Sequence, residues 1–195
     1  MRSLGPILRL QIQLDPLKVG EGAQRVFDPS PVREVPRVWI GPEGLMAPAP
    51  GGGFLLDVHH SAHPRSRNRE GLNALSIGFT SHYEAMRTHF EKKLPLGIAG
   101  ETLIVESKQR IGMEDLKGNL FIRSQQTGTM WPLSEVHPAP PCAPFATFML
   151  GGGRPEPSRL KEALRFLSEG TRGFYVSWTR EGTFIELGDE LVLLP

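Results

Sequence analysis

One cysteine, Cys142, stands in a chain of 195 residues. It cannot form an internal disulfide, and a lone unpaired thiol fits a reducing compartment, so a cytoplasmic location is expected. Long apolar runs are missing too. Nothing reaches the roughly 18 residues that a spanning helix needs, and no membrane partner is expected. Met1-Arg2-Ser3-Leu4-Gly5-Pro6 turns polar too early for a secretory leader. Nor is there an excess of one charge, with 22 Lys+Arg against 21 Asp+Glu. That balance gives no ground for nucleic acid or an acidic membrane surface as the main partner. The GxxxxGK[ST] phosphate loop is absent. Gly151-Gly152-Gly153 lacks the Lys and Ser/Thr of that motif and reads as a flexible link. A dinucleotide fingerprint and iron–sulfur cysteines are also lacking, so neither a nucleotide nor an iron–sulfur cofactor is expected.

What is plentiful is glycine and proline, at 22 and 18 residues. No low-complexity tract accompanies them, so they indicate many turns and a β-rich chain. Leu8-Arg9-Leu10-Gln11-Ile12-Gln13-Leu14 alternates and predicts a half-buried strand with its four apolar residues inward. Further strands are expected at 24–27, 37–40, 54–58, 72–79, 103–105, 119–123, 174–178, 183–187 and 190–194. The run from Ala47 to Gly53 reads as a loop without regular structure, and Gly41-Pro42-Glu43-Gly44 as a turn. Ser81 with Glu84 predicts a capping box opening a short helix that carries Tyr83, Met86 and Phe90. Pro157-Ser158 predicts a second helix, with Leu160, Ala163, Leu164 and Leu167 on one face and Gly170 as its stop. The expected fold is mainly β: one closed or nearly closed barrel over residues 1–195 with a few short helices.

Chemistry concentrates in few places. Cys142 lies in Pro138-Ala139-Pro140-Pro141-Cys142-Ala143-Pro144-Phe145, where the prolines predict a loop. A lone cysteine is either small packing or a reagent. Sulfur relay and metal ligation both use the thiolate, which a nearby histidine or arginine favours. His59, His60 and His63 fall within five residues. Pro64 spoils a helical metal-ligand spacing, leaving polar loop histidines or a lining for a cleft near Cys142. Arg65, Arg67 and Arg69 alternate, so an extended segment would gather them into one patch suited to phosphate oxygens. The plain alternative is a solvated charged loop. Gly100, Glu101 and Thr102 form a turn where glycine permits close approach and the carboxyl can orient an arginine. Lys18, ahead of Gly20 and Gly22, is a lesser cleft candidate.

Four separated pieces together resemble the MOSC domain, the family named for the C-terminal domain of molybdenum cofactor sulfurases. They are Gly41-Pro42-Glu43-Gly44-Leu45 with Asp57-Val58-His59-His60; Gly97-Ile98-Ala99-Gly100-Glu101-Thr102-Leu103; Pro141-Cys142; and Gly173-Phe174-Tyr175-Val176 through Gly188-Asp189-Glu190-Leu191. The likeness spans about residue 8 to the C-terminus. Two departures stand out. Thr102 occupies the place of the family's Asn after Gly-Glu, and the loop at 47–53 interrupts the family's Gly-Leu-x-Gly-Asp run, leaving Asp57 as counterpart of its Asp.

The resemblance implies a MOSC or PK-type β-barrel and a molybdenum–pterin cofactor. It implies a role for Cys142 as persulfide sulfur carrier or as molybdenum ligand. His59, His60, Arg65, Arg67, Arg69, Gly100, Glu101 and Thr102 would then line the cofactor site. Sulfur donor and acceptor proteins, or an electron-transfer partner, are implied as well. Two other functions stay open: a molybdenum-dependent reductase of N-hydroxylated compounds with an external electron donor, and a non-catalytic anion-binding module.

Overall fold

The computed structural model describes residues 1–66 and 75–195. Its strands are β1 (Arg2–Gln13), β2 (Lys18–Val19), β3 (Val26–Phe27), β4 (Val32–Val35), β5 (Arg37–Gly41), β6 (Gly44–Pro48), β7 (Phe54–Leu56), β8 (Leu75–Phe79), β9 (Leu103–Val105), β10 (Asn119–Arg123), β11 (Met130–Pro138), β12 (Phe174–Ser177), β13 (Thr183–Glu186) and β14 (Glu190–Leu194). The α-helices are α1 (Thr80–Phe90), α2 (Ala143–Met149) and α3 (Pro157–Leu167). The chain is mainly β, as expected.

Seven strands close a barrel in the order β14-β10-β11-β12-β8-β9-β1, with β1 returning to β14. All neighbours are antiparallel except β8 and β9, which run parallel, with α1 between them in the chain. One long strand makes the closure possible. β1 pairs with β14 through residues 2–6, with β9 through 7–10 and with β4 through 10–13. Such a change of partner needs bends, and β1 has register shifts at Ser3/Gly5 and at Ile7/Arg9. A bulge reverses side-chain alternation. The expectation that Leu8 faces inward is therefore corrected: Ile7 is buried and Leu8 is 45% exposed, while Leu10 and Ile12 are fully buried as expected.

A second sheet, β13-β5-β6-β7, shares the barrel's core through Val38, Ile40, Leu45, Ala47 and Ile185. Here too an expectation fails. Ala47 and Pro48 are not loop but pair with Leu55 and Phe54, so only 49–53 turns. The Pro-Gly composition argues against a strand, yet a hairpin end tolerates proline where its missing N–H is not needed.

The helices pack outside the barrel around a second cluster of Tyr83, Met86, Phe145, Met149, Ala163 and Leu167. The face predicted for α3 is the face that packs. For α1, the capping box is not formed: the N-cap is Phe79, without a side-chain cap, and Ser81 lies inside the helix. The proline run hides α2. Pro144 sits in its first turn, where proline costs no helical hydrogen bond, so the predicted loop is corrected to a helix start with Cys142 at the N-cap. Among the described residues, no helix is long and apolar enough to cross a membrane.

Candidate functional site

A cleft of about 360 Å³ opens at one end of the barrel. Its walls come from the end of β1, the β2–β3 hairpin, the turn after β7, the 99–102 turn, β8, β12 and the segment ahead of β12. A second hollow of about 340 Å³, between α1, α2 and α3, gathers none of the candidate site residues.

Gly100, Glu101 and Thr102 all line the cleft. The Thr102 amide donates to Ser76 Oγ at 3.0 Å and the two hydroxyls meet at 3.3 Å, so the Thr102 side chain is tied to β8. Glu101 is buried. Its Oε2 accepts from the Tyr83 hydroxyl at 2.6 Å, and that hydroxyl accepts from the Ala99 amide at 3.3 Å. Glu101 Oε1 has no partner among the described residues. Burial pushes the Glu101 carboxyl above its usual range, against the Tyr83 bond and the Arg172 charge. Burial, followed by the Glu101 charge, pushes the Tyr83 phenol well above its own. Tyr83→Phe should cost about 1–3 kcal/mol, because it strips the Glu101 carboxyl and the Ala99 amide of a buried partner. Urea unfolding of the variant measures this.

The histidines diverge. His59 lines the cleft, held by Asp57: Oδ1 accepts from the His59 amide and meets its Nδ1, both at 2.8 Å. His60 is buried outside the cleft wall, its Nδ1 accepting from the Ala62 amide at 3.2 Å. His63 turns to the Leu14 carbonyl at 3.3 Å. Among the described residues, no group of three His, Cys, Asp or Glu side chains could hold a metal ion. Arg65 reaches the cleft but spends one guanidinium nitrogen on both Asp15 oxygens, each at 2.7 Å. Arg67 and Arg69 lie outside the described residues. Lys18 and Arg25, from the β2–β3 hairpin, add two more cations to the wall.

Cys142 is half-buried and packs on the helical cluster. Cys142 is not part of the cleft wall. Arg172 connects the two. It lines the cleft, and its Nη1 donates to Cys142 Sγ at 3.9 Å and to the Pro140 carbonyl at 3.4 Å. Nη2 donates to the Ala99 carbonyl at 3.0 Å, the guanidinium lies 4.9 Å from the Phe145 ring centre, and buried Nε has no acceptor among the described residues. Sequence reasoning missed this residue. Arg172 is one arginine just ahead of a strand, and only the fold brings 99, 140, 142 and 172 together.

No family model matches this chain, and no curated protein does. Solved structures share its fold. The YuaD protein of Bacillus subtilis superposes with a TM-score of 0.57 at 11% identity, over 95% of this chain and 93% of that one. YiiM from Geobacillus stearothermophilus gives 0.54 at 16% identity, over 97% and 75%. A hypothetical protein gives 0.55 at 12% identity, over 98% and 69%.

Proposed function

We propose that this is a MOSC-type protein that binds an anionic, phosphate-bearing molybdenum–pterin cofactor in the cleft, with Cys142 ligating the metal or carrying sulfur as a persulfide. The carrying observation is Arg172, which lines a cleft with Lys18, Arg25 and Arg65 while donating to Cys142 Sγ. Guanidinium and ammonium groups suit phosphate oxygens. The fold likeness to YiiM, a MOSC-domain protein, supports the resemblance of the motifs.

The residues present fit such a group in a specific sense. Protein side chains alone do not assemble a metal site among the described residues. A metal that arrives with its own organic ligands needs only one thiolate from the chain, and Cys142 is the sole cysteine. Glu101 Oε1 and Arg172 Nε, both buried and unpartnered, leave an acceptor and a donor for a ligand to satisfy. When bound, the cofactor would supply oxygen- or electron-transfer chemistry. The chain's part is to hold the anion and to set a guanidinium beside the sulfur. With no second cysteine, a persulfide leaves only to an outside acceptor, so a sulfur donor and acceptor, or an electron-transfer partner, belong to the proposal.

Native protein from a cofactor-competent host, compared with Cys142→Ala by intact mass and molybdenum analysis, tests it. A sulfur adduct lost in the variant supports the carrier. Molybdenum lost in the variant supports the ligand role, and with it a reductase of N-hydroxylated compounds as the activity to assay. Neither sulfur nor molybdenum in wild type overturns both and leaves a non-catalytic anion-binding module.

A further inference from the structure

We propose that the outer face of the four-stranded sheet β13-β5-β6-β7 is an interface for a second copy of this chain, with Arg37 of each copy meeting Glu186 of the other. The inference is independent of the cleft, whose wall includes neither residue.

An antiparallel sheet with one face on the core normally turns polar side chains outward. The inner face follows that rule, since Val38, Ile40, Leu45, Ala47 and Ile185 are core residues. The outer face breaks it. Phe184 pairs with Trp39, Trp39 with Met46 and Met46 with Leu56, so one apolar row crosses all four strands. These four residues are half-buried, yet none belongs to either hydrophobic cluster of the molecule. Phe54, two residues before Leu56 and so on the same face, is 51% exposed. Trp39 and Phe184 meet edge to face, with ring centres 5.0 Å apart. Aromatic residues, methionine and arginine are the side chains enriched where proteins meet, and lysine and the acidic residues are depleted there.

Charge at the rim selects the occupant. The Arg37 guanidinium stands over Phe184, 4.5 Å from the ring centre, and its Nη1 is 3.7 Å from Glu186 Oε1, too long for a hydrogen bond. Glu186 Oε2 accepts from Gln126 Nε2 at 2.7 Å, which leaves Oε1 without a donor at hydrogen-bond distance among the described residues. A cation and a carboxylate side by side make the rim self-complementary. A two-fold axis between them sets Arg37 against Glu186 of the second copy and makes the same contact twice. A wholly acidic or wholly basic partner would meet one like charge. The chain's net charge of +1 raises no general repulsion between copies. Four strands about 4.8 Å apart and about four residues long give a face of roughly 300 Å². That is the small end of specific interfaces, so the dimer is weak, with Kd of about micromolar order.

Sedimentation velocity of the full chain, from about 1 to about 300 µM to bracket a micromolar Kd, tests the interface. Wild type should pass from monomer to dimer across that range. Phe54→Lys and Arg37→Glu should each weaken the dimer roughly tenfold or more, the first by putting a charge into the apolar face and the second by opposing two carboxylates. Both positions are about half exposed, so urea midpoints of the two variants should match that of wild type. Arg37→Glu combined with Glu186→Arg restores the charge pair and should bring the dimer back to within about threefold of wild type. Rescue is the outcome that a merely structural role for either residue would not produce. Wild type that stays monomeric at every concentration overturns the proposal and leaves the face to a different protein. A dimer that neither single variant weakens also overturns it, because the contact then lies elsewhere. A double variant no tighter than Arg37→Glu alone overturns the two-fold pairing.

Discussion

Gly173→Ala should lower stability by about 3–5 kcal/mol, among the largest effects of any single methyl group in this chain. Two costs combine. Gly173 has φ +97°, where an L-residue is strained whatever surrounds it, and its added Cβ would stand 2.4 Å from the Ile77 carbonyl oxygen of β8. That oxygen belongs to the β8–β12 pairing and cannot swing aside as a side-chain end would. Gly173 also holds the site together, because its carbonyl accepts from the Ala139 amide at 2.9 Å, just before the segment that carries Cys142. Arg172 is its immediate neighbour, so the substitution should disturb the arginine, the cysteine segment and the cleft at once. Gly153→Ala separates the two costs. It has φ +74° but nothing within 4 Å of the added Cβ, so only the backbone strain remains, about 1 kcal/mol. Urea unfolding of both variants makes the comparison. Equal losses would mean that the barrel yields at Ile77 and that close packing at Gly173 is not required.

How far the sequence reveals this arrangement depends on the distance over which each signal acts. β10, β12, β13 and β14 were legible, since short apolar runs between glycine turns need only local reading. The packed face of α3 was legible for the same reason, with apolar residues at helical spacing after Pro157. β1 was half legible. Its alternation identifies a strand, but the bulge at Ile7/Arg9 exists because one strand must serve three partners, and no local pattern encodes three partners. β11 was missed because Pro132 and Pro138 argue against a strand with neighbours on both sides. In the site, the 100–102 turn was legible through its glycine and carboxyl. The Asp57–His59 contact was within reach of a two-residue spacing in the sequence. Arg172 and Tyr83 were beyond it: each acquires its role from residues far along the chain, at 99, 140 and 142 for the arginine and at 101 for the tyrosine.

His82 should make the protein lose about 3 kcal/mol as pH falls from 6.5 to 4. The residue is 1% exposed on α1, between the rings of Phe79 and Phe174, and donates from Nε2 to the Ile111 carbonyl at 2.8 Å. Burial lowers its pKa from 6.5 to about 4; the Ile111 bond opposes that shift, and the Arg110 charge adds to it. The sign follows directly. Below 6.5 the unfolded chain binds a proton that the folded chain refuses until about pH 4, so the stability present above 6.5 is lost through that window. Glu101 acts in the opposite sense. Its carboxyl titrates above 4.5 in the folded chain, so its contribution is complete below 4.5 and is lost as pH rises. The wild-type curve therefore shows a partly cancelled slope, and only a variant isolates the histidine. His82→Gln keeps an N–H for Ile111 and removes the titration. The stability of wild type relative to this variant should drop by about 3 kcal/mol between pH 6.5 and 4, read from urea midpoints at matched slopes. Parallel curves across that window would mean that His82 takes its proton within the folded core, with Phe79 and Phe174 parting to admit water.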